Sequence, residues 1–509
     1  MKSPPIAVSV LAFAGLAVAA HAAPSMVDPL LRADTVASGF GTSIFDCSPG
    51  FVFVGHRVAL VVNRVDGRVR RADVPAVGGA AAAPGATVLD LDIVSGTFGN
   101  SQSEWGVQAI ARHPDFDQNR WVYIRYDLSP VAGTDTPQTA FNPFTNPNAN
   151  VIDRFVWDDA ANGGAGALVF DTRIFSTPLS TEYHHGGPIV FDADRRLITT
   201  YGELRNTFQF AVNVNNPGAT QPWGVVLRLT DGGAAAPENP FTPALGAPAG
   251  FEHWMAYGIR NSFGLSIDPV TGDLWQSENG ENRYDELNRI TAGFNGGWLR
   301  IAGPTTHPQQ TGSIANLAPM PGGMSFYREP VFSWFRTVGP TDVQVLHGSR
   351  LGPAWDNGLV AGNFNSGFVW LHRLNETRDG LVYTHPGLAD RVDDRTNGTA
   401  EPVGTEAAEL LWGRGFGALF AGALAVELGP DGRPYVLTTD GLLIRICRAC
   451  PLDIDANGLL NPDDLGDFIT AYYSPLPPVW CDYNDEGIIN PDDLGDYITD
   501  YFGPVLAGC

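Results

Sequence analysis

Short apolar runs alternate with tight polar turns along the first 446 residues. One unit recurs: an apolar strand, a turn containing Asp with Pro or Gly, and a second apolar strand. Five copies of this unit lie at 111–124, 190–200, 266–275, 352–360 and 428–437. The segment from Phe51 to Arg70 supplies a sixth hairpin. Hairpins that repeat about every 80 residues are typical of a propeller or another radial β array. We therefore predict a mainly β, six-bladed propeller over residues 30–446, with an irregular sandwich as the alternative.

A shorter repeat lies at the C-terminus. Residues 453–473 and 482–502 align at an offset of 29 and share Asn-Pro-Asp-Asp-Leu-Gly-Asp at 461–467 and 490–496. In each copy oxygen-bearing side chains recur at alternate positions, with glycine at position 6 and Asp at position 12, as in a calcium loop. Apolar residues at helical spacing follow each loop. We predict a small α-helical domain over residues 450–509 with two calcium loops of the EF-hand type.

The predicted calcium ligands occupy positions 1, 3, 5, 7, 9 and 12, of which position 7 offers a backbone carbonyl. In the first loop they are Asp453, Asp455, Asn457, Leu459, Asn461 and Asp464. In the second loop they are Asp482, Asn484, Glu486, Ile488, Asn490 and Asp493. The alternative is an acidic tail without a metal. A tail that was merely rich in acidic residues, however, would not repeat glycine and asparagine at the same positions of both copies.

The N-terminus has the features of an export signal. Lys2 precedes an apolar run, and Ala20-His21-Ala22 has the small-x-small form of a signal-peptidase site. We predict a Sec-type signal peptide at residues 1–22 and a periplasmic, extracellular or surface-attached protein without a transmembrane segment. Cysteines pair by default in such compartments. Cys47 with Cys447 would fasten the first and last blades, and Cys450, Cys481 and Cys509 would compete for a second bond.

Charge narrows the range of partners. The chain has 31 Lys+Arg against 55 Asp+Glu, a net charge of −24, so we predict no nucleic-acid partner. Residues 450–509 hold 12 acidic residues and no basic one, which is half of the net charge and marks a domain boundary near 447–450. Lys2 is the only lysine, so no lysine remains once the signal peptide is removed.

Polar clusters lie at predicted strand ends in the large domain. His184, beside two glycines, is accessible to a ligand, and Glu203 on the neighbouring strand can orient the ring and raise its basicity. Arg260 and Asn261 can clamp a carboxylate or quinone oxygen by forked hydrogen bonds. Each motif alone is more often structural, but in a closed array they would converge on a central pocket.

The segments "HHGGPIVFDADRRLITTYGE" and "AYGIRNSFGLSIDPVTGDLWQSENGENRYDELNRITAGFNGGW" resemble the glucose/sorbosone dehydrogenase family of six-bladed propellers. The resemblance extends from about residue 36 to 446, and the family includes soluble aldose dehydrogenases that use pyrroloquinoline quinone (PQQ) and calcium. It implies oxidation of a CH–OH group of a sugar or polyol, with His184 as the base and Glu203 as its partner. Arg260 and Asn261 would contact the quinone. Four further implied positions are Gly280 and Glu281 at the cofactor calcium, Glu286 at a structural calcium and Glu104 near the substrate.

The sequence departs from the family at the cofactor. Asn365 stands where the family has a cofactor-binding lysine, and Gly422 and Leu424 stand where it has two arginines. PQQ carries three carboxylates, so losing cationic partners weakens its binding, although Arg414 is close in sequence and could substitute in part. The alternative is therefore a propeller without redox activity that binds carbohydrate or protein ligands.

Residues 450–509 resemble dockerin domains, which carry two calcium loops, each followed by a helix. They also resemble dockerin-like tails of exported bacterial proteins that end in Gly-Cys, here Gly508-Cys509. The resemblance implies docking to a cohesin-like or cell-surface partner through the apolar residues of the helices. The alternative is that those residues only pack the two loops together, which part of them must do in any case.

Overall fold

The computed structural model describes residues 23–41, 49–95, 104–137, 149–178, 183–203, 213, 222–318, 325–394, 405–417 and 422–503. The predicted signal peptide at residues 1–22 lies outside this range, as do Cys47, Gly508 and Cys509. Within it the chain is mainly β, and no helix is long and apolar enough to cross a membrane.

The first twelve strands lie before residue 179. They are β1 (Ser25–Met26), β2 (Leu31–Ala37), β3 (Gly50–Gly55), β4 (Val58–Val62), β5 (Arg68–Asp73), β6 (Thr87–Asp90), β7 (Val94–Ser95), β8 (Val107–Arg112), β9 (Trp121–Leu128), β10 (Thr136–Pro137), β11 (Ala149–Asp158) and β12 (Ala167–Pro178). A short helix, α1 (Phe116–Asn119), lies in the turn between β8 and β9.

Nineteen further strands follow in the described residues. They are β13 (Ile189–Phe191), β14 (Leu197–Tyr201), β15 (Val225–Leu229), β16 (Trp254–Tyr257), β17 (Gly264–Ile267), β18 (Leu274–Glu278), β19 (Asp285–Ile290), β20 (Phe294–Asn295), β21 (Phe326–Tyr327), β22 (Phe332–Trp334), β23 (Pro340–Val345), β24 (Gly358–Asn363), β25 (Val369–Leu374), β26 (Leu381–Val382), β27 (Val392–Asp393), β28 (Leu411–Arg414), β29 (Ala423–Leu428), β30 (Pro434–Thr438) and β31 (Leu443–Arg448).

In the part of the chain that the structure describes, these strands form six sheets of four or more strands and one two-stranded sheet, β7–β10. In chain order of their inner strands they are sheet 1 (β3-β4-β5-β6), sheet 2 (β8-β9-β11-β12), sheet 3 (β13-β14-β15-β16-β20-β21), sheet 4 (β17-β18-β19-β22-β27), sheet 5 (β23-β24-β25-β28-β1, with β26 beside β25) and sheet 6 (β29-β30-β31-β2).

The inner strands of the sheets contact one another in a cycle. Strand β3 contacts β8, and the contacts continue through β13, β17, β23 and β29 back to β3. Each neighbouring pair of sheets encloses one apolar cluster, so most strands are buried on both faces and lack a simple alternation. The predicted mainly β class and a propeller-like arrangement are confirmed.

The six predicted hairpins form the first two strands of the six sheets: β3–β4, β8–β9, β13–β14, β17–β18, β23–β24 and β29–β30. Their turns therefore lie at one end of the array, which we call the turn face. The starts of the first strands and the ends of the second strands lie at the opposite end, which we call the site face.

The N-terminal segment completes the last sheets. Strand β2 pairs with β31 at the outer edge of sheet 6, and β1 pairs with β28 in sheet 5. Leu31 and Val36 on β2 enter two different apolar clusters, between sheets 5 and 6 and between sheets 6 and 1. Backbone pairing thus joins the two ends of the large domain.

The suggested disulfide between Cys47 and Cys447 is wrong. Cys447 is a buried free thiol on β31, opposite Arg32 of β2, so the pairing of these two strands closes the array without it. Cys481 is also a buried free thiol, and Cys450 is disulfide-bonded. Burial raises the pKa of the Cys481 thiol to about 12, which keeps it protonated and unreactive.

Two loop–helix units follow the last strand. Helix α2 (Pro462–Tyr472) and helix α3 (Pro491–Tyr501) each begin at a capping box, formed by Asn461 with Asp464 and by Asn490 with Asp493. The rings of Phe468 and Tyr497 stack with their centroids 3.8 Å apart and join the two helices. The repeated segments therefore pack on each other through residues at equivalent positions.

We expect Leu31→Ala to lower the free energy of unfolding by about 2–5 kcal/mol, because it leaves a cavity where β2 closes the array. Leu31 is 5% exposed, whereas Val27 in the same segment is 39% exposed. Val27→Ala is the matched control and should change stability by less than about 0.5 kcal/mol. Urea denaturation followed by circular dichroism measures both, and equal effects would contradict the closing role of β2.

Candidate functional site

The predicted catalytic and cofactor residues converge at the site face. His184 precedes β13 and Glu203 follows β14 of the same sheet, while Arg260 and Asn261 lie between β16 and β17. The loop of Gly280 and Glu281 joins β18 to β19 at the same end. Residues from two neighbouring sheets, sheets 3 and 4, therefore meet where strands begin and end, as expected for a site at the end of a propeller.

His184 and Glu203 form a buried pair. His184 Nδ1 lies 2.5 Å from Glu203 Oε1, and the two residues are 8% and 0% exposed. Since the carboxylate accepts a hydrogen bond from Nδ1–H, Nε2 carries the lone pair, and it lies 3.3 Å from Nη2 of Arg260. This tautomer leaves Nε2 able to accept a proton, which is the property that a general base needs.

The backbone at His184 has a positive φ of 60° and is held by close packing. A Cβ at Gly202 would lie 2.1 Å from the carbonyl oxygen of His184, so only glycine fits there. The amide of Gly186 donates to Asn261 Oδ1 over 3.1 Å. The segment His184–Gly187, which we call the histidine loop, is therefore held against Gly202 on one side and Asn261 on the other.

Arg260 is held by carbonyl and carboxylate acceptors. Its amide donates to Glu278 Oε1 over 2.6 Å and its Nη1 donates to the carbonyl of Asn279 over 2.7 Å. Burial lowers the pKa of the guanidinium, and nearby carboxylates led by Glu203 oppose that shift. The side chain is a positive group with a fixed direction inside the pocket.

Glu104, expected near the substrate, connects Asn261 to the histidine loop. Oε1 accepts a hydrogen bond from the Asn261 amide over 3.1 Å, and Oε2 accepts one from the backbone amide of His185 over 2.8 Å. Each oxygen keeps a second lone pair for a ligand hydroxyl. Glu104 therefore positions two other candidate residues and remains able to contact a substrate.

Arg125 on β9 is a site residue that the sequence interpretation missed. It is fully buried and donates to the carbonyls of His185 (2.6 Å), Gly187 (3.0 Å) and Thr200 (2.5 Å). Its guanidinium carbon lies 3.6 Å from the ring centroid of Tyr201. One cation thus joins the histidine loop to the strand that leads to Glu203. An arginine within the apolar segment 121–126 was the available signal.

A polar layer supports Arg125. Arg125 Nε donates to Asn150 Oδ1 over 2.8 Å, and Asn150 donates to Asp127 Oδ1 over 2.9 Å. Asp127 also accepts from Gln108 over 2.7 Å and lies 3.4 Å from Nδ1 of His185. The buried charge of Arg125 is therefore compensated by the buried carboxylate of Asp127, and Asn150 connects the two by hydrogen bonds.

Three buried carboxylates, Glu278, Asp285 and Glu286, lie at the end of β18 and the start of β19, and of these Glu286 stands at a position expected for calcium. Glu278 and Glu286 are paired residues of β18 and β19, and burial raises the pKa of Glu286 to about 7. Burial and the charge of Glu286 raise the pKa of Glu278 well above its usual range. Asp285 accepts from the amides of Gly280, Val338 and Gly339. Carboxylate oxygens are ligands that calcium prefers, but the oxygens of these three residues do not all lie within 4.8 Å of one another.

The two loop residues expected at the cofactor calcium differ in surroundings. A Cβ at Gly280 would lie 2.1 Å from the carbonyl oxygen of Arg283, so the loop folds tightly on itself there. Glu281 is exposed. A calcium ligand at these positions would come from the backbone, as the resemblance implies.

The donor set fits PQQ only in part. Asn365, where a lysine is expected, donates to the Thr337 carbonyl over 3.4 Å. A Cβ at Gly422 would lie 1.8 Å from the carbonyl oxygen of Asn363, so this backbone admits no arginine there. Of the expected cationic partners, Arg260 is present in the described part of the pocket, and the three positions 365, 422 and 424 supply none.

The first C-terminal loop brings its predicted ligands together. Asp453, Asp455 and Asp464 place carboxylate oxygens within 4.8 Å of one another. The Asp453 side chain accepts from the amides of Asn457 (3.1 Å) and Gly458 (2.9 Å), and Gly458 has φ of 82°. Three convergent carboxylates in a tight turn have the oxygen chemistry that calcium requires.

The second loop repeats this geometry. Asp482 accepts from the amides of Glu486 (3.0 Å) and Gly487 (2.9 Å), and Asp493 Oδ1 accepts from the amide of Asn484 over 3.2 Å. The remaining predicted ligands, at positions 7 and 9 of the two loops, are Leu459, Asn461, Ile488 and Asn490. Leu459 and Ile488 are exposed, which is compatible with a role for their carbonyls only.

Comparison with known proteins gives a consistent family. The family model described as Glucose / Sorbosone dehydrogenase matches residues 51–397. The aldose sugar dehydrogenase YliI of Escherichia coli K12 is 25% identical over 360 residues, which cover 68% of this chain and 78% of that protein.

Solved structures share the fold. The apo form of the soluble aldose sugar dehydrogenase from Escherichia coli matches with a TM-score of 0.56 at 20% identity, covering 82% of this chain and 99% of that one. The PQQ-bound aldose sugar dehydrogenase from Streptomyces coelicolor matches with a TM-score of 0.52 at 20% identity, covering 82% and 98%. At this identity the likeness concerns the fold alone.

We expect Arg125→Lys to destabilise the protein by about 3 kcal/mol or more, because several buried carbonyls lose their donors. Arg120→Lys is the matched control. Arg120 lies immediately before β9, and the side chains of Arg120 and its partner Asp159 are 30% and 70% exposed. The control should cost at most about 1 kcal/mol.

Amide exchange should localise the effect of Arg125→Lys. We expect faster exchange at Gly186 and Gly187, whose amides donate to Asn261 and Thr200. Equal stability of the two variants, or unchanged exchange at both glycines, would contradict the positioning role of Arg125.

Proposed function

Because the chain belongs to the glucose/sorbosone dehydrogenase family, we propose that it is a sugar dehydrogenase that oxidises a CH–OH group of an aldose or polyol. The observation that carries this proposal is the buried pair of His184 and Glu203, with Nε2 of His184 beside Arg260. We also propose that each of the six sheets is one blade of a propeller. The cyclic contacts of the inner strands support this.

His184 acts as the base. Glu203 holds the ring through Nδ1, so Nε2 accepts the proton of the substrate hydroxyl, and the neighbouring carboxylate stabilises the imidazolium that forms. Arg260 and Asn261 orient an anionic or carbonyl oxygen of the electron acceptor. Glu104 receives a second hydroxyl of the sugar while it keeps Asn261 in place.

PQQ is the acceptor class that we propose, because a structural relative is PQQ-bound. When bound, this quinone would supply the two-electron acceptor, and the residues that would hold calcium are Gly280 and Glu281 beside the cofactor and Glu286 at a structural site. The missing cations at Asn365, Gly422 and Leu424 predict weak binding. The steric exclusion at Gly422 also favours a second candidate function, a propeller without redox activity that binds a carbohydrate or protein ligand.

The C-terminal module, residues 450–509, is proposed to bind two calcium ions and to be dockerin-like. Its repeated ligand positions and the convergent carboxylates of Asp453, Asp455 and Asp464 support this. Export through residues 1–22 and attachment to a cohesin-like or cell-surface partner belong to the same proposal. Both are supported by the sequence patterns alone.

We expect purified, calcium-loaded protein to bind PQQ weakly and Asn365→Lys to bind it about ten-fold more tightly, since one charged hydrogen bond adds about 1.5–3 kcal/mol. His184→Ala should keep binding and lose turnover. Absorbance titration measures binding, and dye-linked oxidation of aldoses measures turnover.

Asn316→Lys is the matched control for charge, because Asn316 is exposed in a short turn and is not one of the predicted cofactor positions. It should leave PQQ binding unchanged. No absorbance change and no aldose oxidation with either the native protein or Asn365→Lys would reject the quinone enzyme and favour the ligand-binding propeller.

For the module we expect Asp453→Asn and Asp482→Asn each to remove one of two calcium sites in isothermal titration. The amide keeps the shape of position 1 but loses its charge. Asp463→Asn is the control, since Asp463 is exposed in the first turn of α2. Identical helicity and melting in chelator and in calcium would refute the calcium assignment of both loops.

A further inference from the structure

Five cationic or titratable side chains gather on the turn face, at the end opposite His184. His56 and Arg57 lie in the β3–β4 turn, Arg350 in the β23–β24 connection, Arg433 in the β29–β30 turn, and Arg448 at the end of β31. We call this set the basic face. The family residues of the candidate site play no part in it.

The basic face makes the same contact with each C-terminal loop. Arg350 Nη2 donates to the carbonyls of Asp482 and Tyr483, the latter over 3.2 Å. Arg448 donates to the carbonyls of Asp453 and Ile454, the latter over 2.8 Å. In both loops these are positions 1 and 2, so one arginine of the large domain holds the start of each loop.

The second loop has an additional attachment at position 4. Asp485 occupies that position, where the first loop has Ala456, and both have positive φ. Asp485 Oδ1 accepts from Arg433 over 2.9 Å and from Arg350 over 3.2 Å. Arg57 donates to the Asp485 carbonyl.

These contacts are buried. The side chains of Arg350 and Asp485 are each 8% exposed and that of Arg433 is 10% exposed. Arg433 also donates to Asp431 over 2.8 Å, so its charge is compensated within its own sheet. Buried, multiply bonded ion pairs of this kind fix geometry, unlike exposed surface pairs.

We propose that the basic face is part of the calcium-binding apparatus of the module: Arg350 and Arg448 order the first residues of the two loops and thereby raise their calcium affinity. This rests on the calcium function proposed above. Position 1 of each loop is held twice, its carbonyl by an arginine and its carboxylate by loop amides of Asn457 and Gly458 or of Glu486 and Gly487.

Ordering and charge act in opposite directions here. A loop that is already ordered loses less conformational entropy when it binds an ion, which raises affinity. A guanidinium near the ion repels it, but Asp485 neutralises part of that charge in the second loop. Arg350 and Arg448 donate to backbone carbonyls at positions 1 and 2 rather than to the ligand carboxylates, so we expect the ordering effect to dominate.

The test is loop-selective and uses the full chain. Arg350→Met should weaken calcium binding of the second loop about ten-fold and leave the first unchanged, and Arg448→Met should do the reverse. Hydrogen exchange of peptides spanning 453–464 and 482–493, measured at graded free Ca²⁺, gives the affinity of each loop separately. Arg373→Met is the control, because Arg373 donates to the carbonyl of Ala354 and contacts neither loop.

Arg350→Lys keeps a positive charge in the buried position and loses the fork that spans two carbonyls. It should weaken the second loop as well, and it replaces Arg350→Met if that variant does not fold. A wild type without calcium-dependent exchange would overturn the calcium function and this inference together. Calcium-dependent wild-type loops with unchanged or tighter binding in the arginine variants would overturn this inference alone.

Discussion

Cyclic packing of the sheets is the constraint on which the rest of the molecule depends. Each apolar cluster lies between two neighbouring sheets, so no sheet buries its faces without both neighbours. The chain meets this requirement by placing its N-terminal strand β2 beside β31. The site face and the turn face follow directly, because six first strands that run in the same sense bring distant loops together at each end.

Each end then uses buried charge to fix loop geometry. At the site face Arg125 and Glu104 hold the loop of His184, and at the turn face Arg350 and Arg448 hold the C-terminal loops. The acceptors are mostly backbone carbonyls. Where strands begin and end, the sheet provides no N–H donor for such carbonyls, so a side chain must provide it. Since the described residues of the module contact the turn face, they lie at the end opposite the candidate site.

Much of this could be predicted from local patterns. The hairpin turns with Asp and Pro or Gly indicated the sheets, and the offset of 29 indicated the paired loops and helices. The convergence of His184, Glu203 and Arg260 followed from their places at strand ends. Arg125 was not predicted, because hydrophobic patterning assigns a charged residue within an apolar strand to an exposed position. The basic face escaped notice because its members lie on separate connections, and only the closed array brings them together.

The exclusive use of arginine connects the two ends. Lys2 is the only lysine of the chain, so the residues that the structure describes contain none. A guanidinium can donate to two carbonyls at once, as Arg350, Arg448 and Arg125 do. A lysine ammonium presents a compact charge, which suits a single carboxylate better than a pair of carbonyls. The cations of this chain are thus placed where they order loops, and the pocket positions 365 and 422 are occupied by residues that serve tight turns. The positions expected to bind the carboxylates of a quinone therefore supply no cation at 365, 422 and 424, which is the physical ground for the weak affinity proposed above.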